Sequence, residues 1–194
     1  MALSSLAALP VTAAIRADHT HVLAAFHRYR HHSPWWRKRA IVSSACTALE
    51  IHTQLEEEIL YPALARVDPD DDVLKKSKPE HDAIRQTIER LRGMGPENAA
   101  YDSLFMQLMR TVIHHVADEE AVLLPRVERM LEAELTSLGA AMTRRRIQLL
   151  GAHQPARIAL DTLGTFPIAA ALFGALTGIA VLRCFAAAHR PCGA

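Results

Sequence analysis

Cysteine is scarce: Cys46, Cys184 and Cys192 are scattered along 194 residues. An odd, widely spaced set makes neither a disulfide framework nor a zinc ribbon, and it suits a reducing compartment. Aromatic residues make up only 5% of the chain, and no Arg/aromatic interleaving marks an RNA-binding sheet. The charges nearly cancel, 22 Lys+Arg against 21 Asp+Glu, for a net +1. No global basic surplus therefore points to nucleic acid. The opening MALSSLAALPVTAA has no basic region and too short an apolar run for a signal peptide. The chain is expected in the cytoplasm. Strand-like alternation is absent as well. What is present is a half-hydrophobic composition, enough for a buried core, and eleven histidines.

Punctuation divides the chain into helices rich in Ala, Leu, Arg and Glu. One is expected from about Thr12, a plausible N-cap, to about His31. A second follows Ser33-Pro34 and runs to about Arg66. Asp68 to Asp72 reads as a turn with a solvated charge cluster. A third spans about Ser77 to Arg92, with Ser77 and Glu80 at capping-box spacing and Pro79 in the first turn. GMGPEN at 93–98 breaks the chain, and a fourth helix runs from about Ala99 past Val122. Short connections imply an all-α fold, an antiparallel four-helix bundle over 12–131. A fifth, polar helix is expected over 132–155, carrying Arg144 to Arg146, a run read as a solvated face. A C-terminal hydrophobic helix is expected over 160–188.

One pattern occurs twice. His52 to Pro62 reads HTQLEEEILYP, and His115 to Pro125 reads HVADEEAVLLP; both fit H-x3-E-E-x4-P, 63 residues apart. Each copy has an upstream histidine in phase: His19, after Asp18, lies 33 before His52, and His81, after Glu80, lies 34 before His115. At roughly 100° per residue, spacings of three and four share a helix face. Ile15, His19, Val22 and Phe26 form one such track. Leu49, His52, Glu56, Ile59 and Ala63 form the second. Leu74, Ser77, His81, Ile84, Ile88 and Leu91 form the third, and Leu108, Val112, His115, Glu119 and Val122 the fourth. Each apolar seam is interrupted at one level by histidine, or by histidine and glutamate. Glu57 and Glu120 point off the core. His21, His27, His31, His32 and His114 read as surface or loop residues, and Cys46 as a small core residue. Trp35-Trp36 reads as a helix staple or loop anchor.

Burying two carboxylates and four imidazoles costs several kcal/mol per unpaired charge, so such groups neutralise or bind metal. Four histidines and two glutamates at one level make a nitrogen-rich donor set with two carboxylates able to bridge paired ions. Imidazole with oxygen bridges suits iron better than zinc, manganese or copper. Two ferric ions with an oxo or hydroxo bridge would be largely neutralised by the two carboxylates.

These stretches resemble the hemerythrin-like family, the HHE cation-binding domain, over roughly Ile15 to Arg126. The resemblance implies a four-helix bundle with a non-haem di-iron centre. Carried over position by position, the metal ligands are His19, His52, Glu56, His81, His115 and Glu119. The oxygen carriers of the family have a further histidine where this chain has Ser77, and use a carboxylate at the place of Glu120. The sequence is therefore similar to the H-HxxxE-H-HxxxE branch rather than to the carriers.

The expected function is that of a di-iron protein that binds or reacts with O2, peroxide or nitric oxide. Peroxide disproportionation is its enzymatic version and sensing its binding version; no separate acid–base dyad decides between them. Iron storage or delivery, including repair of iron–sulfur clusters, is the alternative. A membrane-tethered interaction module with a structural metal is another. Thr162 to Leu182 is 21 residues without a charge, long enough to span a bilayer, with Gly174 and Gly178 at small-xxx-small spacing. It reads either as a single span, with the bundle on the cytoplasmic face, or as a soluble Ala-rich helix.

Overall fold

Residues 9–152 are described in the computed structural model. The expected helix over 160–188 and the uncharged run 162–182 lie outside them. The first helix, α1, spans Val11–Arg28. Thr12 does not cap it: Pro10 precedes the first turn and Thr12 is buried inside it. The helix stops at Tyr29, which turns extended so that its hydroxyl donates to Asp102 and its ring packs on Phe105.

Helix α2, Trp35–Leu55, runs into a π-helical turn, Glu56–Leu60, and then α3, Tyr61–Val67. The fourth rod repeats this: α5, Tyr101–Asp118, a π turn at Glu119–Leu123, and α6, Leu124–Met130. In both rods proline, Pro62 or Pro125, stands in the first turn after the π segment. Proline has no N–H, and its ring clashes with the carbonyl four residues back. The wider π turn accommodates it and inserts a phase shift. The buried track accordingly runs His52, Glu56, Leu60, Leu64 in one rod and His115, Glu119, Leu123, Val127 in the other. The uniform α-helical register expected from the sequence fails at this point: Val122 is 39% exposed and Ile59 only half-buried. A step of four overshoots an ideal α-helical face by about 40°, and the π turn absorbs the overshoot.

Helix α4, Asp72–Arg92, begins five residues before Ser77. Its cap is Asp71, whose Oδ1 accepts from the Leu74 N–H at 2.8 Å. Asp71 is 2% exposed and also grips Arg126 of α6, so it is not a solvated charge. Ser77 is buried within the helix and its hydroxyl donates back to the Val73 carbonyl at 2.8 Å. Local spacing favoured Ser77; the tertiary pairing with Arg126 selects Asp71.

The four rods form an antiparallel bundle in the cyclic order α1, α2–α3, α4, α5–α6. A 3-10 turn, Glu132–Glu134, leads to α7, Leu135–Ala152, which packs along α1 and α2. A Cβ at Gly139 would collide with the Leu9 carbonyl, so glycine permits this close approach. Arg145 and Arg146 are not a solvated face. Arg145 pairs with Glu58, and Arg146 forks onto Asp18 at 2.6 and 2.5 Å. Two apolar cores fill the bundle. One, with Phe26, Leu49, Ile84, Phe105 and Leu108, lies toward the α1–α2 connection. The other, with Ile15, Leu55, Leu60, Leu64, Leu124 and Met142, lies toward the opposite end. Between them lies one polar layer.

Candidate metal centre

That layer contains all six residues singled out by the repeated pattern. His19, His52, Glu56, His81, His115 and Glu119 are each between 0 and 3% exposed. Donor atoms of His19, His52, Glu56 and Glu119 lie within 4.8 Å of one another, and so do those of Glu56, His81 and His115. Glu56 thus belongs to both groups. Glu119 joins them, with Oε2 at 3.3 Å from His19 Nε2 and 3.5 Å from His115 Nε2. Burial separates Glu119 from Glu120: Glu119 faces inward and Glu120 lies half-exposed outside.

Each histidine is held from behind by a carboxylate on another helix. Nδ1 of His19 meets Glu120 at 2.8 Å, of His52 Asp18 at 3.4 Å, of His81 Glu57 at 2.9 Å and of His115 Glu80 at 2.9 Å. Such partners fix the ring so that Nε2 faces a metal. Each carboxylate in turn meets a cation: Arg16 on Glu120, Arg146 on Asp18, Arg85 on Glu57 and Lys76 on Glu80. Glu57 and Glu120 do lie off the core direction, as their positions implied. Their anchoring role was missed, although the signal was legible: both repeats carry an acidic residue before the first histidine and a second glutamate after the first.

Tyr61 was also missed. Its hydroxyl lies 3.2 Å from His81 Nε2, 3.0 Å from Glu119 Oε1 and 3.3 Å from Glu56 Oε2. The other repeat has Leu124 at the same place, one residue before its proline. Tyr61 is therefore an additional oxygen that can reach a metal or carry a proton. Burial, and then the charges of Glu56 and Glu119, push its ionisation far up, so the phenol is protonated in the metal-free protein.

The donors fit a cation, as their hydrogen bonding shows. Nε2 of His19 and His52, Oε1 of Glu56 and Oε2 of Glu119 are buried with no hydrogen-bond partner. Each such orphan costs about 1–3 kcal/mol in a protein interior. Burial, then the charge of Glu119, raises the Glu56 carboxyl to about 7. Burial opposes ionisation of Glu119 too, but the His19 ring 3.3 Å away and the charges of His115, His52 and His19 hold it down. Burial works against charging His19 as well, yet Glu119 and Glu120 raise it; burial lowers His81. A bound cation removes the reason for Glu56 to keep its proton. Against the imidazoles, between the donors and the apolar core of Val22, Leu49, Ile84 and Val112, lies a cavity of ≈ 10 Å³, room for about one water.

A four-helix bundle with a single buried layer of histidines and carboxylates, every histidine braced from outside, defines a bundle metalloprotein. The particular family follows from its sequence: residues 11–127 match the model of the hemerythrin HHE cation binding domain, and the chain belongs to that family. It binds metal cations through this domain. The structure is similar to the crystal structure of a hemerythrin HHE cation binding domain-containing protein, the Rv2633c homolog from Mycobacterium kansasii, with a TM-score of 0.63. That likeness covers 84% of this chain and 96% of the other, at 20% identity, and speaks to the fold. No curated protein matches the chain in sequence.

Proposed function

We propose that the chain is a non-haem di-iron protein that binds or reacts with O2, peroxide or nitric oxide. The observation that carries this reading is the set of four orphaned donor atoms in one buried layer, joined to a second set through Glu56. His19 and His52 would hold one ion, His81 and His115 the other, with Glu56 and Glu119 between them. Iron pairs supply up to two electrons in one-electron steps, matched to O2 and peroxide. The residues around them do the rest. Val22, Leu49, Ile84 and Val112 wall the one-water cavity and admit only a small ligand. Tyr61 holds a proton at its Oη, among Glu56, Glu119 and His81.

The test is metal analysis of purified protein, with its near-ultraviolet spectrum. Two irons per chain, with charge-transfer bands of a bridged ferric pair, are expected. Zinc, or less than one metal per chain, would overturn the reading. Oxygen evolved from added peroxide and lost in His52→Ala identifies the enzymatic version; redox-dependent structural change without turnover identifies a sensor. Iron that exchanges readily with a chelator instead identifies storage or delivery.

The uncharged run 162–182 belongs to the same proposal as a tether to the cytoplasmic face of a membrane. Among the described residues no helix is long and apolar enough to cross a membrane. Its length, 21 residues without a charge, supports the tether.

A further inference from the structure

The α1–α2 end of the bundle carries exposed tryptophan. Trp35 and Trp36, at the start of α2, are 62% and 54% exposed. They are neither staple nor anchor. Around them His27, Arg30, His31, His32, Arg37 and Arg39 are all exposed. No acidic residue occurs between Asp18 and Glu50. The connection between α4 and α5 meets this end and brings Glu97 and Asp102, with Glu89, Arg90 and Arg92 in the last turn of α4. Asp102 is already engaged, by Lys38 at 2.8 and 2.9 Å, by Tyr29 and by His31. The opposite end of the bundle carries Asp68, Asp70, Asp71 and Asp72. Of those aspartates, Asp70 pairs with Lys75, and Asp68 and Asp71 with Arg126, whereas the α1–α2 end sets exposed cations beside exposed tryptophan.

The direction of α7 relates this end to the rest of the chain. Gly139 lies against Leu9 and Val11, and Arg146 binds Asp18, so α7 runs alongside α1 in the same direction. Its last turn is aimed at the α1–α2 end. Ten residues after Ala152 the sequence enters its uncharged run.

We propose that the Trp35–Trp36 end docks on a membrane surface rich in anionic lipid headgroups. Tryptophan favours the headgroup level, where its ring is sheltered and its N–H stays hydrated. Arginines beside it neutralise lipid charge. The docking face is independent of the metal layer. It gains from the tether of residues 162–182, because a tethered end meets the surface at high effective concentration. In that respect it rests on the tether reading above, and the test separates the two.

The chain contains two tryptophans, both at this end, so its intrinsic emission reports the face alone. The full chain is reconstituted with vesicles of phosphatidylcholine, with and without phosphatidylserine, and sedimented. With phosphatidylserine the emission shifts to shorter wavelength and acrylamide quenching falls severalfold, and both changes are reversed by high salt. Arg37→Gln/Arg39→Gln keeps both tryptophans and loses the shift while retaining wild-type metal content. Sedimentation with both vesicle types and unchanged emission would leave the tether standing and overturn the docking face. Failure to sediment with either vesicle overturns both. A shift that appears with duplex DNA and not with vesicles overturns the lipid assignment.

Discussion

The two halves of the buried layer come from the same repeated pattern and are not alike. In the half containing His19 and His52, both Nε2 atoms are orphaned, and both rings line the small cavity together with His115 of the other half. In the other, Nε2 of His81 and His115 lie 3.1 Å apart, with the Tyr61 hydroxyl beside His81. The repeat pairs Tyr61 with Leu124, so a polar atom enters one half only. The bracing differs too. Asp18, behind His52, is gripped by Arg146 from α7, outside the four-helix bundle. Glu80, behind His115, is met by the exposed Lys76 one turn away on its own helix. Two-fold sequence symmetry therefore sets the donor count, while residues outside the pattern make the two positions inequivalent.

The largest effect is expected at the residue both halves share. Glu56→Leu removes a donor from each group, and metal analysis should find the chain essentially metal-free. Retention of one ion would show that the halves load independently. The same substitution removes a buried carboxylate, so the metal-free variant should melt above the metal-free parent. Next in size is metal removal from the parent. Metal held at about a thousandfold over its dissociation constant adds about 4 kcal/mol. For a chain of this size that corresponds to a melting shift of about 10 °C, and an unchanged melt after chelation would mean the layer is stable without cations.

Titration of the metal-free layer comes third. The Glu56 carboxyl is raised from 4.5 to about 7 by burial and by Glu119. Between those values the unfolded chain ionises and the folded one does not, so stability falls as pH rises through the window and levels off above it. Glu119 is held down, so its contribution is present above its unfolded value and is lost as pH falls further. Denaturant melts of chelated protein should therefore show greatest stability near the lower edge of the window. Glu56→Gln should flatten the fall toward neutral pH.

Much of this was legible without coordinates, because helical spacing constrains buried histidine and glutamate strongly. All six donors lie where the phased pattern put them. Three of the failures depend on contacts between helices, and one, at Val122, on a proline within its own rod. Val122 was assigned to the core because an undisturbed helix continues its register, and the π turn before Pro125 moves Leu123 there instead. Ser77 had ideal capping spacing, yet Arg126 secures Asp71 as the cap. Tyr61 follows Ile59 and Leu60 in the sequence, and only the convergence of Glu56, Glu119 and His81 gives its hydroxyl a role. Arg146 sat in a basic run with no local sign that one member crosses to Asp18.

The inequivalence of the two halves can be tested directly at their braces. Asp18 is held to about 2, against burial, by the His52 hydrogen bond and then by Arg146. With Arg146→Met the carboxylate keeps its burial and loses its fork, so His52 is less firmly oriented. Loss of such an outer partner typically costs 10–100-fold in metal affinity. Of the two ions proposed above, one should then leave to a chelator about tenfold faster, at the low end of that range, and the other at the parental rate. Arg146→Lys should restore part of the difference, because it returns the charge without the two-pronged geometry. Lys76→Met provides the contrast: its ammonium is exposed and shared between Glu80 and Asp118, and solvent already screens it, so neither ion's release should change measurably. Biphasic release in Arg146→Met beside monophasic release in Lys76→Met would fix α7 as part of one metal position only. Equal acceleration of both phases in Arg146→Met would mean that α7 stabilises the bundle as a whole and that the two halves are braced alike.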